Sequence, residues 1–565
     1  MCCQYFLNNM AKERRRSRSY GNIFNSVQIP GIPRNTFDLS HYNKLTFNMG
    51  QIIPIWWDET MPGDRISVNI EQLIRFMPMT FPVMDNFSIT MRAFAVPMRL
   101  LVPQEDYEEF ITGGEDGKAV GKWPMAQMKG IALATVNSVP TANLVNTLPD
   151  YLGFPTVVGD KPITVGQYPT TSVSVLPFRA YQFIYNEWFR DEKLQDEVEW
   201  VRGSDTPTPT ELRAITKIRR IGWRKDYFTS AFTEPQLGED VFLPMGGMLP
   251  VQLGAPTKSW NVVDSRDGSL IGPLQASPDD PRGTYTMKST SGSGPAMTTS
   301  VSLNPNGSLQ VDLQDMVAPS INELRLAFAV QRWKELNARA GVRLPEWLLA
   351  HYHVKSSDAR LQRPEYLGGL RARISVGEVL QTSADTESSA LGDMAGHAMS
   401  LSQGRIFNRY IEEQSIVMIV AYVMPTQPTY MNGMKRFWFK NDKFDFADPL
   451  FGNLGEQEIW NGELFVGPGM TSDQIKGRFG FQSRYAEYKF APSEVHGEMR
   501  TTMMGWHMAR SFDTLPELTG TFIEADPTDR IFNVTSKDFS KIVGNFFFDI
   551  RKTSSLPYYG TPSIV

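Results

Sequence analysis

Residues 87–93 read FSITMRA, a stretch in which apolar side chains alternate with mostly polar ones. Successive side chains of a β-strand point to opposite faces of the sheet, so this alternation predicts a half-buried strand. A second strand is predicted nearer the N-terminus, where residues 45–49 (LTFNM) alternate in the same way. Three further stretches are strand-like, at 416–424, 484–490 and 545–550. Strand signals therefore occur near both ends of the chain.

Helices are predicted between these strands. Pro177 stands where a missing N–H costs a helix least, and aromatic residues follow at helical spacing: Phe178, Tyr181, Tyr185 and Trp188. Ser320 and Glu323 form a capping box that begins a second helix, which Gly341 ends. We expect the apolar residues of this second helix to form a packed face: Leu324, Phe328, Val330, Trp333 and Leu336. A short acidic stretch at 105–110 is also expected to be helical.

Two long segments, 112–171 and 253–314, lack a helical or strand period and are predicted to be loop insertions. Strands joined by such expanded connections indicate one antiparallel β-sandwich, the class in which jelly rolls and other Greek-key folds pair distant segments. We therefore predict an all-β fold with inserted helices. An N-terminal basic arm and lead-in at 1–43 would precede a single domain at 44–565.

The charge balance argues against a protein whose whole surface binds nucleic acid. The chain has 56 Lys and Arg against 61 Asp and Glu, a net charge of −5, so any polyanion contact must be local. The two cysteines, Cys2 and Cys3, are adjacent and cannot staple a fold, which fits a reducing cytoplasm. The longest strongly apolar run, 416–424, is far shorter than the roughly 20 residues of a membrane span.

A local cationic feature lies at residues 10–20 (MAKERRRSRSY), which have no apolar face. The cations of this arm are Lys12, Arg14, Arg15, Arg16 and Arg18. Two interpretations remain open for it. It is either a solubilising tail or an arm that binds nucleic acid through phosphate contacts.

The sequence predicts no catalytic residue, metal site or cofactor. It contains no G-x-S-x-G, no G-x-x-x-x-G-K-[ST] and no H-E-x-x-H motif. His351 and His353 would share one face of a strand, but the pattern supplies no third metal ligand, so structural roles are favoured. The carboxylates at 105–109 are interpreted as a solvated acidic face. Of Trp56 and Trp57, one can pack in the core while the other contacts the core, another subunit or a nucleic-acid base.

Several segments resemble, in the same order, the major capsid proteins of microviruses, small single-stranded DNA phages, and most of all the gokushovirus branch. The most recognisable is 176–195 (LPFRAYQFIYNEWFRDEKLQ). The other matching segments are 37–41 (FDLSH), 62–64 (PGD), 226–231 (DYFTSA), 321–330 (INELRLAFAV), 358–369 (DARLQRPEYLGG), 444–446 (FDF), 454–457 (LGEQ), 484–488 (RYAEY) and 546–563. The segments 112–171 and 253–314 depart from the family pattern.

The resemblance implies a structural protein of the virion that is not an enzyme. Its fold would be an eight-stranded antiparallel viral jelly roll with long loop insertions. It would assemble as pentamers into the smallest icosahedral shell (T=1), with one copy per asymmetric unit, in the cytoplasm of the host bacterium. The implied partners are an internal scaffolding protein, a DNA pilot protein, a small basic DNA-binding protein, the circular single-stranded DNA genome and a host surface receptor; no membrane insertion is implied.

Two other functions remain open on the residues alone. A β-sandwich carbohydrate-active enzyme would need two carboxylates in a groove, and a phage receptor-binding protein would be expected to trimerise.

The jelly-roll order predicts that the first long strand, within 44–57, lies antiparallel beside the last, within 542–552. The insertion at 253–314 is expected to project from the outer surface, near a three-fold axis, where hosts could be recognised. Family members begin shortly before the 37–41 signature, so we expect Met10, and not Met1, to be the start of translation.

Overall fold

The computed structural model describes residues 34–559, with gaps at 115–117, 120, 240, 242–250, 342, 381–393, 535 and 537–538. Between 254 and 319 it describes only the strand segments given below. The chain forms two compact units, one made of Met1–Pro235 with Ala340–Val565 and the other of Gln236–Arg339.

Eight strands form the framework of the first unit. In chain order they are β1 (His41–Phe47), β2 (Ile53–Thr60), β3 (Arg65–Phe76), β4 (Phe87–Pro97), β5 (Glu365–Leu380), β6 (Met394–Tyr410), β7 (Ser415–Pro425) and β8 (Ile542–Ser554). The alternating burial along β3 and β8 is the pattern of strands with one face on a core. A short strand, Asn35–Asp38, precedes β1 and pairs with the C-terminal end of β8.

The strands lie in the order β1-β8-β3-β6-β5-β4-β7-β2, and every neighbouring pair is antiparallel. The two halves of the chain lie side by side, like the two strands of one long hairpin. The pairs are β1 with β8, β2 with β7, β3 with β6 and β4 with β5. This nested order is a jelly roll, so the predicted fold class is confirmed. The predicted neighbours of first and last strand are confirmed as well, since Lys44 pairs with Asn545. The rest of that first segment, from Ile53, belongs instead to β2, which pairs with β7.

Six helices of seven or more residues are described. They are α1 (Gln104–Thr112), α2 (Met128–Thr135), α3 (Leu176–Trp188), α4 (Pro209–Ile215), α5 (Ile321–Ala340) and α6 (Leu344–Tyr352). Single helical turns occur at Leu148–Tyr151, Asn461–Leu464, Ser472–Ile475, Ala486–Lys489 and Gly520–Ile523. The predicted helix at Pro177 is α3, and the acidic stretch is α1, so both predictions are confirmed.

Two apolar cores lie on opposite faces of the β2-β7-β4 part of the sheet. One core, which we call the inner core, lies inside the jelly roll. Strand β7 contributes to it Val417, Ile419, Ala421 and Val423. The intervening Ile416, Met418, Val420 and Tyr422 pack in a second core with α3. Strand β7 is therefore buried along its whole length. Each fully buried aliphatic side chain of this kind contributes about 1.5–3 kcal/mol to folding.

The tandem tryptophans of β2 serve both cores. Trp56 lies in the inner core, whereas Trp57 packs against the outer one and donates its indole N–H to the carbonyl of Leu152 at 3.1 Å. Core packing, one of the three interpretations of the outward ring, is thus what the structure shows for Trp57. Trp188 also packs, with its ring 4.5 Å from the Arg363 guanidinium.

Two local predictions about the first unit are wrong. Residues 484–490 are predicted to be a strand, but the φ of Tyr485 is +60°, which is incompatible with the extended backbone of a strand. The helical turn Ala486–Lys489 follows it. His351 and His353 do not share a strand, because His351 lies in α6 and His353 ends that helix in the left-handed conformation.

The second unit contains strands that the sequence pattern did not predict. A two-stranded and a four-stranded antiparallel sheet are formed by Val251–Leu253, Trp260–Asp264, Leu270–Ala276, Tyr285–Met287, Val301–Asn304 and Leu309–Val311. The capping box of α5 is confirmed, since the Ser320 N–H donates to Glu323 at 2.7 Å and the Glu323 N–H donates to Ser320 at 3.2 Å. The expected packed face of α5 is wrong, because Phe328 and Trp333 are 66% and 51% exposed.

Candidate functional site

A cluster of exposed apolar side chains stands out on the first unit. Between residues 437 and 454, six large apolar side chains are exposed by 46–84%. We call them the aromatic surface; they are Phe437, Trp438, Phe444, Phe446, Leu450 and Leu454. Single exposed apolar residues are normal on soluble proteins, but six within one short segment indicate a binding surface.

Short 3₁₀ helices carry four of these side chains, namely Phe437, Trp438, Phe444 and Leu450. In the helix Arg436–Phe439, Phe437 and Trp438 point outward while the ring of Phe439 contacts Trp460 at 6.4 Å between centroids. In the next turn, the Asp445 carboxylate accepts the backbone N–H groups of residues 441 and 442, each at 3.0 Å. Capping of this kind satisfies backbone donors locally. The rings are therefore displayed on a hydrogen-bonded support.

Arg436 anchors that support to the interior. Its guanidinium lies 4.0 Å from the centre of the Trp460 ring and donates to Glu463 at 3.1 Å and to the carbonyl of Glu458 at 2.6 Å. The side chains of Arg436 and Glu463 are only 12% and 5% exposed. A buried charge of this kind is tolerated only with a partner, so the two side chains depend on each other.

A second ion pair lies beside the first. Lys440 contacts Glu487 at 3.3 Å and Tyr488 at 3.0 Å. Burial raises the pKa of the Glu463 carboxyl, although the Arg436 charge and the hydrogen bond from Tyr227 act against burial. Burial also raises the pKa of the Tyr227 hydroxyl, which therefore stays a donor to Glu463, at 2.8 Å.

These groups line a cleft of about 560 Å³. Its apolar lining includes Met434, Phe437, Tyr488 and Phe490, and Glu463 lies among its polar lining. A glycosidase needs one carboxylate free to donate a proton and another free to attack or to activate water. Here Glu463 accepts from Arg436, Tyr227 and the backbone N–H of Trp460. The arrangement suits binding an apolar or aromatic partner more than it suits catalysis.

The site residues considered in the sequence analysis either lie away from this cleft or lie outside the described residues. The arm cations Lys12, Arg14, Arg15, Arg16 and Arg18 lie outside the described residues. The acidic residues of α1 do not form a catalytic pair, since Asp106 accepts from Ser204 and Glu108 from Gln104. Among the residues that the structure describes, no group of three or more His, Cys, Asp or Glu is arranged to hold a metal. No helix of the described chain is long and apolar enough to cross a membrane.

The aromatic surface was not predicted from the sequence. A signal was present, because residues 436–446 (RFWFKNDKFDF) combine five aromatic rings with five charges and no strand or helix period. Periodicity predicts which side of a regular helix or strand is buried. An irregular segment has no period, so this method cannot predict which of its side chains are exposed.

Known proteins match this chain over nearly its whole length. The sequence profile of a family described as "Capsid protein (F protein)" matches residues 25–564. The capsid protein VP1 of Bdellovibrio phage phiMH2K is 32% identical over 96% of this chain and 98% of its own length. The VP1 capsid proteins of Chlamydia phage 1 and Spiroplasma virus 4 are each 31% identical over 98% of this chain and all of their own length. The chain therefore belongs to the F capsid protein family, the major capsid proteins of microviruses.

Proposed function

We propose that this structural capsid protein, a component of the phage virion, forms pentamers that close into the smallest icosahedral shell around a circular single-stranded DNA genome. The observation that carries the proposal is the match of nearly the whole chain to capsid proteins. The jelly-roll topology supports it, since many viral capsids are built from this fold. An enzyme is not favoured, because the relatives are named capsid proteins.

The aromatic surface is proposed to be a contact between copies in that shell. Protein interfaces are enriched in aromatic residues, Met and Arg, and the surface with its cleft supplies all three in Trp438, Met434 and Arg436. In a closed symmetric shell each contact is repeated in every copy, so an interface of modest affinity is sufficient.

The remaining partners are part of the same proposal. The basic arm at Lys12, Arg14, Arg15, Arg16 and Arg18 would face the genome. An internal scaffolding protein, a DNA pilot protein and a small basic DNA-binding protein would assist assembly and packaging, and a host surface receptor would bind the exterior. What supports these partners is family membership.

Electron microscopy of the purified chain tests the shell. We expect pentamers or closed shells from the wild-type chain. The change Trp438→Asp should leave a chain that is folded, as measured by circular dichroism, but no longer assembles. The reason is that the new carboxylate would lose its water when two copies come into contact.

Val158→Asp is the matched control, since Val158 is equally exposed, at 72% against 71% for Trp438, and lies outside the aromatic surface. The control should assemble as the wild type does. If Trp438→Asp forms normal shells, the aromatic surface is not a contact between copies. If the wild-type chain stays monomeric, the proposed shell is wrong.

A further inference from the structure

The two sides of the jelly roll are covered differently. The sheet side formed by β2, β7 and β4 is packed under α3 and the second core. On the opposite side, formed by β1, β8, β3 and β6, the outward side chains remain exposed or half-buried. We call this side the open face. Its exposed residues include Tyr42, Arg75 and Leu401.

The open face is cationic although the chain is acidic. Lys44, Arg65, Arg75 and Arg405 project from it and are exposed. Arg65 donates to the amide oxygen of Asn408 at 3.1 Å and Arg405 to that of Asn69 at 3.4 Å, so neither hydrogen bond neutralises the charge.

The carboxylates on this face balance only part of that charge. Asp38 and Asp549 lie 3.2 and 3.6 Å from Arg551 and neutralise it. Glu71 is exposed between the cations on β3. With Arg551 included, five cations thus face three carboxylates, a local excess of positive charge in a chain whose net charge is −5. Such a patch attracts a polyanion locally.

An aromatic pair lies on the same face. Tyr42 of β1 is directly opposite Phe547 of β8, with ring centroids 4.7 Å apart, and Tyr42 is 65% exposed. A groove of about 750 Å³ is lined by Tyr42 and Lys44, a size usual for a cleft that holds a small ligand. Exposed rings beside cations are the two elements with which proteins hold single-stranded nucleic acid without sequence preference.

We propose that the open face binds single-stranded DNA, an inference that rests on the proposed packaging of the genome. Lys44, Arg65, Arg75 and Arg405 contact phosphates, and Tyr42, supported by Phe547, stacks on a base. The described chain begins at Arg34, and Asn35–Asp38 pairs with β8. The strand Asn35–Asp38 therefore lies beside β8 at the edge of the open face.

DNA fits this face better than a protein does. The centre of a protein interface is depleted in charged residues, whereas Arg, Lys, Asn, Gln and Ser, the usual partners of phosphates, are distributed among the outward residues here.

The test measures binding of the unassembled full-length chain to fluorescein-labelled oligo(dT) of about 20 nucleotides, by anisotropy at several salt concentrations. The length exceeds the roughly 4–16 nucleotides that a compact single-strand-binding fold occupies. Each phosphate contact contributes about 0.7 to the slope of log affinity against log salt. The triple change Arg65→Gln, Arg75→Gln and Arg405→Gln should therefore reduce that slope by about 2.

Two controls accompany it. The triple change Lys161→Gln, Arg202→Gln and Lys217→Gln removes the same charge from exposed cations outside the open face and should leave the slope unchanged. Replacing Arg65, Arg75 and Arg405 by Lys keeps the charge and should keep the slope. Tyr42→Ala should weaken binding about tenfold without altering the slope, because stacking releases no counterions.

A wild-type slope in the Gln variant of the open face would overturn the inference. So would a variant that binds oligo(dT) normally but fails to form shells by electron microscopy, since the face would then be a contact between protein chains. A wild-type chain that binds oligo(dT) through this face but never forms shells would contradict the proposed function alone.

Discussion

Arg436 illustrates how much of the aromatic surface depends on one buried cation. Its guanidinium joins Glu463, Trp460 and a backbone carbonyl beneath the exposed rings. Removing one partner of a buried ion pair leaves the other charge in a medium of low polarity.

The change Arg436→Ala should lower the free energy of unfolding by about 3 kcal/mol, because Glu463 would remain buried without its cation. Urea denaturation followed by circular dichroism measures this. Lys435→Ala is the adjacent control; its ion pair with Glu494 is 3.7 Å long and Lys435 is 70% exposed, so a loss of at most about 0.5 kcal/mol is expected. Equal midpoints for the two variants would show that the Arg436 cluster does not stabilise the fold.

At the scale of elements, helix α6 is attached to the end of α3 by charged groups. Arg343, just before α6, donates to the backbone carbonyl of Glu187 at 2.8 Å and contacts Glu192 at 3.2 Å. Burial, together with a hydrogen bond to Glu192, raises the pKa of the Glu346 carboxyl to about 7. Two carboxylates that share a site in this way hold a proton that each alone would release.

This raised pKa makes stability depend on pH. Between pH of about 4.5 and about 7 the folded chain keeps a proton on Glu346 that the unfolded chain has lost, so the free energy of unfolding falls as the pH rises through this range. Glu346→Gln should flatten that part of the profile, measured by urea denaturation at several pH values. Glu105→Gln, at an exposed position of α1, should keep the wild-type profile. A profile for Glu346→Gln that matches the wild type would show that the carboxyl pair does not hold the proton.

At the scale of the whole molecule, an acidic shell protein needs local cations to hold a genome. The basic arm and the open face are the two sites that we propose. They make separable contributions, because the arm is local in sequence whereas the open face exists only when β1, β8, β3 and β6 are paired.

Replacing Arg14, Arg15, Arg16 and Arg18 by Ser should leave shells able to form but lower their DNA content, since up to four phosphate contacts per copy are lost. The ratio of absorbance at 260 and 280 nm of purified particles measures the retained DNA. Lys at the same four positions keeps the charge and should retain the DNA. Unchanged DNA content and salt sensitivity in the Ser variant would identify the arm as a solubilising tail.

The sequence alone determined what short-range patterns encode. Alternation of side chains predicted β4 and the capping box predicted α5, because each depends on residues within a few positions of one another. The order of the segments along the chain carried the family resemblance, from which the jelly roll and the pairing of β1 with β8 followed.

Only the tertiary structure decided which surfaces are covered. The apolar face of α5 looked like packing and is exposed, and residues 484–490 looked like a strand and form a turn. Arg65 and Arg405 are separated by 340 positions in the sequence, yet they lie on adjacent strands of the open face. The alternation of a strand marks its two faces but does not say what covers either of them, since that depends on contacts between segments hundreds of residues apart.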